Sequence, residues 1–121
     1  MGARILVVDD DQMNIMRAKM ILSKGEYEVL TADSGEAALG ILAAEKVALV
    51  LLDIEMPGMS GIETLEQLRA TEEGAKQAVM FMTGTYDDEE QAHGERLGVL
   101  GCIQKPFLPP VLLEQVGEVL N

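Results

Sequence analysis

Val47-Ala48-Leu49-Val50-Leu51-Leu52-Asp53-Ile54-Glu55-Met56-Pro57-Gly58 is the stretch that decides the fold. Six apolar residues run without a break and stop at a carboxylate. A run this short, rich in Val and Leu and closed by Pro-Gly, predicts a strand buried on both faces. Its carboxyl end places Asp53 where the strand meets solvent, the edge at which open α/β sheets bind ligands. Asp53 is therefore the candidate nucleophile, and the remainder of the chain is read as the frame that holds it.

Working outward, Arg4-Ile5-Leu6-Val7-Val8 predicts a second buried strand that ends at three acids, Asp9, Asp10 and Asp11. An acid in that place also starts a helix, by capping and by the helix dipole. The helix is expected from about Gln12 to Ser23. Met13, Met16 and Met20 lie at helical spacing, as do Ala18, Ile21 and Leu22, which is more apolar surface than one buried face needs. The preferred expectation is a wide core stripe; the alternative is that Ile15 or Met16 is exposed to a partner. Tyr27–Ala32 alternates and suits an outer strand. Asp33 or Ser34 caps the next helix, with Ala37, Ala38, Ile41 and Leu42 inward.

Beyond the Asp53 strand, Ser60 caps a third helix whose Ile62, Leu65 and Leu68 form a stripe. Ala78–Met82 is the fourth strand and leads to Thr83-Gly84-Thr85. Tyr86-Asp87-Asp88-Glu89-Glu90 opens an acid-rich fourth helix with little apolar content, expected to be loosely held. Gly98 stops it, and Val99–Gln104 is the fifth strand, ending at Lys105-Pro106-Phe107. Pro109 and Pro110 open a last helix at positions that tolerate proline, with Val111, Leu112, Val116, Val119 and Leu120 inward. Strand and helix alternate five times, and each crossover is long enough for a helix. The fold expected is α/β, a doubly wound, flavodoxin-like parallel sheet of order 2-1-3-4-5 with five helices. Residues 1–121 are expected to form one domain.

Composition narrows the function classes. Hydrophobic residues make up 48% of the chain, enough for a core, but aromatics only 3%, so the core is aliphatic. The 21 acids against 9 bases give a net charge of −12, which argues against nucleic acid and anionic membrane surfaces. One cysteine, Cys102, excludes an internal disulfide and a Cys-rich zinc site. No apolar run approaches the roughly 18 residues of a membrane helix. The start, Met1-Gly2-Ala3-Arg4, goes straight into a strand, so no signal peptide is expected; Met-Gly hints at myristoylation, but Leu6 stands where that signal has Ser or Thr. A cytoplasmic location is expected.

Asp9 and Asp10, Asp53, Thr83 and Lys105 each follow a different strand. In a parallel sheet these ends share one edge, so residues spread along the chain converge. Three close carboxylates repel one another; either some stay protonated or a cation sits between them. A few hard oxygens with room for water suit magnesium. Lys105 adds a fixed positive charge, and Thr83 offers a hydroxyl to a phosphoryl oxygen. Catalysis in such a site is positioning plus charge neutralisation.

Ile-Leu-Val-Val-Asp-Asp-Asp (5–11), Leu-Leu-Asp-Ile-Glu-Met-Pro-Gly-Met-Ser-Gly (51–61), Met-Thr-Gly (82–84) and Gln-Lys-Pro-Phe (104–107) strongly resemble the receiver domain of two-component response regulators. Each motif alone is weak; all four, in order and with matching spacing, are specific. The resemblance runs from Arg4 to Leu120. It implies that Asp53 accepts a phosphoryl group from a phosphohistidine on a sensor kinase or phosphotransfer protein. It implies that Asp10, Asp53 and the backbone carbonyl of Glu55 ligate Mg2+, with Asp9 helping through water. It implies that Thr83 and Lys105 hold the phosphoryl group, and that the Lys105-Pro106 bond is cis. It further implies a switching surface of helix four, strand five and helix five, which serves an output domain after Asn121, a partner or a homodimer. Phosphotransfer partners are expected around the first helix and the loop after strand five. Such a domain is a signalling module, not an enzyme beyond assisting its own phosphorylation and dephosphorylation.

The chain departs from the family at Cys102, where receivers usually carry an aromatic residue that moves with the Thr. Either the surface switches by loop movement, or the domain mainly relays phosphate. A redox role for Cys102 is disfavoured, because nothing beside it lowers its pKa. Rival readings are weaker. A haloacid-dehalogenase-like phosphatase has Asp-x-Asp, whereas Glu55 stands here, and no cap domain is expected. A flavin carrier would need its phosphate loop elsewhere, and a pseudo-receiver would lack the acids, Thr and Lys. His93 and Asp87–Glu90 are expected to be solvated, Asp11 a helix cap, and Phe107 a packing residue.

Overall fold

The computed structural model describes residues 2–120. Five strands alternate with five helices: β1 (Arg4–Val8), α1 (Gln12–Lys24), β2 (Glu28–Ala32), α2 (Gly35–Ala44), β3 (Leu49–Leu52), α3 (Gly61–Arg69), β4 (Val79–Thr83), α4 (Asp88–Arg96), β5 (Cys102–Gln104) and α5 (Pro109–Leu120). All neighbouring strands are parallel, in the order β2-β1-β3-β4-β5. This is the doubly wound arrangement expected from the alternation.

The apolar runs have the physical cause inferred for them. All four residues of β3 and all five of β4 are buried, because helices cover both faces of the sheet. One core joins Val7, Leu51 and Met82 to Ile15, Ala18 and Leu22 of α1 and Leu112 and Val116 of α5. The other joins Val8, Leu52 and Phe81 to Ala38 of α2 and Leu65 and Leu68 of α3. Each fully buried aliphatic side chain contributes about 1.5–3 kcal/mol. The outer strands β2 and β5 are only partly covered.

Helix starts follow the side chains that can cap them. Asp11 accepts from the amide of Met13 at the head of α1, and Ser34, rather than Asp33, caps α2. Ser60 and Asp87 each form a reciprocal capping box, with Glu63 and Glu90 respectively. Only Gly94 is buried within α4. A Cβ there would lie 2.7 Å from the Phe81 ring, so the helix rests on the sheet through its missing side chain.

Several expectations change. Met13, Met16 and Met20 do not belong to the core: they are 76%, 62% and 59% exposed, while Ile15, Ala18, Ile21 and Leu22 face inward. The two stripes lie on different sides of the helix, and the β-branched and Leu set won the core. Of the alternative, the exposure holds for Met16 and not for Ile15, which is buried. The fifth strand is shorter than Val99–Gln104: its regular register starts at Cys102, opposite Phe81, although Leu100 N already donates to Val79 O, and the Leu100 side chain is exposed. The third starts at Leu49 rather than Val47. Val111 lies on the outer side of α5.

Candidate functional site

Backbone pairing sets the site before any side chain acts. The amide of Asp53 donates to Val8 O at 3.0 Å, that of Asp9 to Ala32 O at 3.1 Å, and that of Lys105 to Thr83 O at 2.9 Å. Residues 9, 53, 83 and 105 are thus tied to neighbouring strands at one rim. Behind Asp53, the head of α3 approaches so closely that a Cβ on Gly61 would sit 2.0 Å from the Asp53 carbonyl oxygen. Glycine is therefore needed at 61, a requirement the sequence alone did not reveal.

The side chains converge. Lys105 Nζ lies 2.6 Å from Asp9 Oδ2 and 3.2 Å from Asp53 Oδ2. Carboxylate oxygens of Asp9, Asp10 and Asp53 fall within 4.8 Å of one another. Asp9, Asp53 and Thr83 are buried, whereas Asp10 and Glu55 are exposed at the mouth. The mouth is an open cavity of about 290 Å³, bordered also by Asn14, Gly84 and Thr85. The Thr85 hydroxyl donates to the Glu55 carboxylate across it. The expected site residues Asp9, Asp10, Asp53, Glu55, Thr83 and Lys105 therefore all line one cavity.

Charge at this rim is unbalanced: three carboxylates face one ammonium. Burial pushes the Asp53 carboxyl up; the charge of Asp9 adds to this, while Lys105 and the Thr83 hydroxyl pull it down less strongly. Burial alone would lower the Lys105 ammonium, but its hydrogen bond to Asp9 and the charges of Asp53 and Asp9 outweigh that and raise it. The two directions fit one picture. Lys105 is committed first to Asp9, the shorter contact, and Asp53 is left under-compensated. A carboxylate in that position favours the arrival of a further positive charge. Oxygen donors held this close, on a net negative rim, fit a small hard divalent cation.

Other singled-out residues fall into place. The Lys105–Pro106 bond is cis. Phe107 is buried, and its carbonyl accepts from Arg17 Nη2 at 2.8 Å while the guanidinium lies 5.1 Å from the ring centroid. Cys102 is half-buried and packs on the α4 side with Tyr86 and Val99. Burial raises its thiol pKa, a backbone hydrogen bond at Thr83 opposing, so it is not an activated thiolate. His93 lies 3.3 Å from Glu66 of α3. No described helix is long and apolar enough to cross a membrane.

Comparison with known proteins gives this geometry a family. The profile of the response regulator receiver domain matches residues 5–117. The chain is 38% identical over 117 residues to a probable cyclic di-GMP phosphodiesterase of Vibrio cholerae, covering 97% of this chain but 26% of that protein. It is 34% identical over 107 residues to sporulation initiation phosphotransferase F of Bacillus subtilis, covering 88% of this chain and 85% of that one. The structure of Vibrio cholerae chemotaxis protein CheY4 superimposes with a TM-score of 0.94 at 28% identity, covering 99% of this chain and all of that one. The chain belongs to the response regulator receiver domain family, the phosphoacceptor modules of two-component signalling. A relay role without switching is not favoured.

Proposed function

We propose that Asp53 is the phosphoacceptor and that residues 1–121 form one receiver domain built around it. The observation that carries this is the shared ammonium: Lys105 bridges buried Asp9 and Asp53, yet sits nearer Asp9. Asp53 keeps an oxygen facing the mouth. That oxygen attacks the phosphorus of a phosphohistidine, the P–N bond breaks, and the imidazole leaves with the bonding pair. Lys105 and the Thr83 hydroxyl meet the oxygens of the incoming group, so the work of the protein is positioning and charge neutralisation.

Asp10, Asp53 and the Glu55 backbone carbonyl would hold Mg2+, with Asp9 acting through water. The ion, when bound, neutralises carboxylate and phosphoryl charge. The three-to-one imbalance of acids over ammonium at this rim supports that role. The donor is a sensor histidine kinase or histidine phosphotransfer protein, which docks near α1 and the loop after β5. The α4-β5-α5 face transmits the phosphorylated state to an output domain, a partner or a second copy, with Thr83 and Cys102 at the inner side of that switch. An output segment after Asn121 lies outside the described residues. The domain acts in the cytoplasm and is not itself an enzyme beyond its own phosphorylation chemistry. The test is incubation with acetyl phosphate and magnesium, read by intact mass. The protein gains one phosphoryl group and Asp53→Ala gains none; equal labelling of the two removes Asp53 from this role.

A further inference from the structure

At the edge opposite Asp53, one cleft is unbalanced in charge in the other sense. Arg69, the last residue of α3, is held by three backbone carbonyls: Nε donates to Leu97 O at 2.7 Å, and Nη1 donates to Gly74 O at 2.8 Å and Gln77 O at 2.7 Å. Carbonyls orient a guanidinium without cancelling its charge. Among the described residues no carboxylate is paired with Arg69, and its Nη2 has no acceptor. Nη2 reaches the space over Gly98, where a Cβ would lie 3.9 Å from it; the positive φ of 78° favours glycine there and keeps that space open.

That space is a cleft of about 490 Å³ at the amino ends of β4 and β5. Lys76 and Arg96 border it with Arg69, and no acid does. Three of the nine cations in a chain with 21 acids therefore meet at one acid-free place. Lys76 and Arg96 are exposed, and no ion pair of theirs occurs among the described residues. Leu97 and the 55% exposed Leu100 give the cleft an apolar wall.

We propose that this cleft binds a small organic phosphate, its phosphoryl group on Arg69 Nη2, Lys76 and Arg96 and its organic part on Leu97 and Leu100. Three cations from separate segments suit a dianion with three acceptor oxygens better than a carboxylate with two. A pre-oriented guanidinium loses little freedom on binding it. A polyanion is disfavoured, because the net charge of −12 repels a long chain of phosphates that a compact ligand escapes. The inference is independent of the role of Asp53.

The experiment is an amide and Arg Nε–H NMR titration of the metal-free protein with phenyl phosphate, inorganic phosphate and benzoate. Phenyl phosphate produces saturable shifts at Arg69 Nε–H and at residues 97–100, and binds more tightly than the other two. Lys76→Glu with Arg96→Glu, both exposed, leaves the remaining spectrum in place and weakens binding about tenfold or more. Leu100→Ser reduces phenyl phosphate to the affinity of inorganic phosphate. The inference is overturned by the absence of saturation, by benzoate or inorganic phosphate matching phenyl phosphate, by shifts confined to the Asp53 mouth, or by undiminished binding in the double variant. Acetyl phosphate labelling of that variant keeps the two questions apart: it stays at the wild-type level whether or not the cleft binds, and only the Asp53 assignment depends on it.

Discussion

Two sites at opposite edges of the sheet carry opposite charge excesses, and they manage them differently. At the carboxyl ends of the strands, Asp9 and Asp53 are buried and fixed by backbone pairing, with one shared ammonium. In the cleft at the amino ends of β4 and β5, Arg69 is fixed by carbonyls, while Lys76 and Arg96 border it as exposed residues. A buried excess costs stability and is relieved by ligand or by protonation; an exposed one is screened by water and costs little. Filling the first site therefore relieves a buried charge cost, whereas filling the second adds only the mass-action stabilisation of any ligand that binds the folded state.

The largest break in that contrast comes from chemistry. Asp53→Ala abolishes labelling by acetyl phosphate, whereas Lys76→Glu with Arg96→Glu labels like the wild type, both read by intact mass. Next is Lys105→Met, which leaves fully buried Asp9 without its 2.6 Å partner. It destabilises the metal-free protein by about 3 kcal/mol in urea unfolding. Asp53→Asn acts the other way. The folded carboxyl titrates above its ordinary value of 3.8, so the folded state binds the proton more tightly than the unfolded one. Metal-free wild type thus loses stability as pH rises from that value through the raised one. Asp53→Asn lacks the loss, is the more stable at neutral pH, and converges with wild type in acid or in saturating magnesium; thermal melts across pH check this. The smallest effect belongs to the basic cleft: Lys76→Glu with Arg96→Glu lowers stability by about 1 kcal/mol, chiefly by placing a carboxylate at the C-terminal end of α4.

The strands and the acidic rim were legible because their signals are local. Val7-Val8 before Asp9 and Leu51-Leu52 before Asp53 each state burial and its end within a few residues. Topology then supplied the convergence. Side selection on α1 was not legible. Met counts as apolar in a periodicity, yet its flexible thioether tolerates water, and nothing in the spacing says that Ile15 and Leu22 prevail. Val99 and Leu100 look like strand residues, and Leu100 N does donate to Val79 O at 2.8 Å, but the regular register with β4 begins only at Cys102. Gly61 was unmarked because its constraint is the distant Asp53 carbonyl. The basic cleft was invisible for a similar reason: Arg69, Lys76 and Arg96 share no motif and meet only where α3, α4 and two connections end together.

Arg17 offers a last consequence. It grips Phe107 through both the carbonyl and the ring, while Gln104 is paired with Thr83 on the other side. Lys105 and Pro106 thus form a short span between two fixed piers. The main chain beneath the ammonium has almost no travel, so the reach from Asp9 toward a newly arrived group falls to four methylenes pivoting on a stationary base.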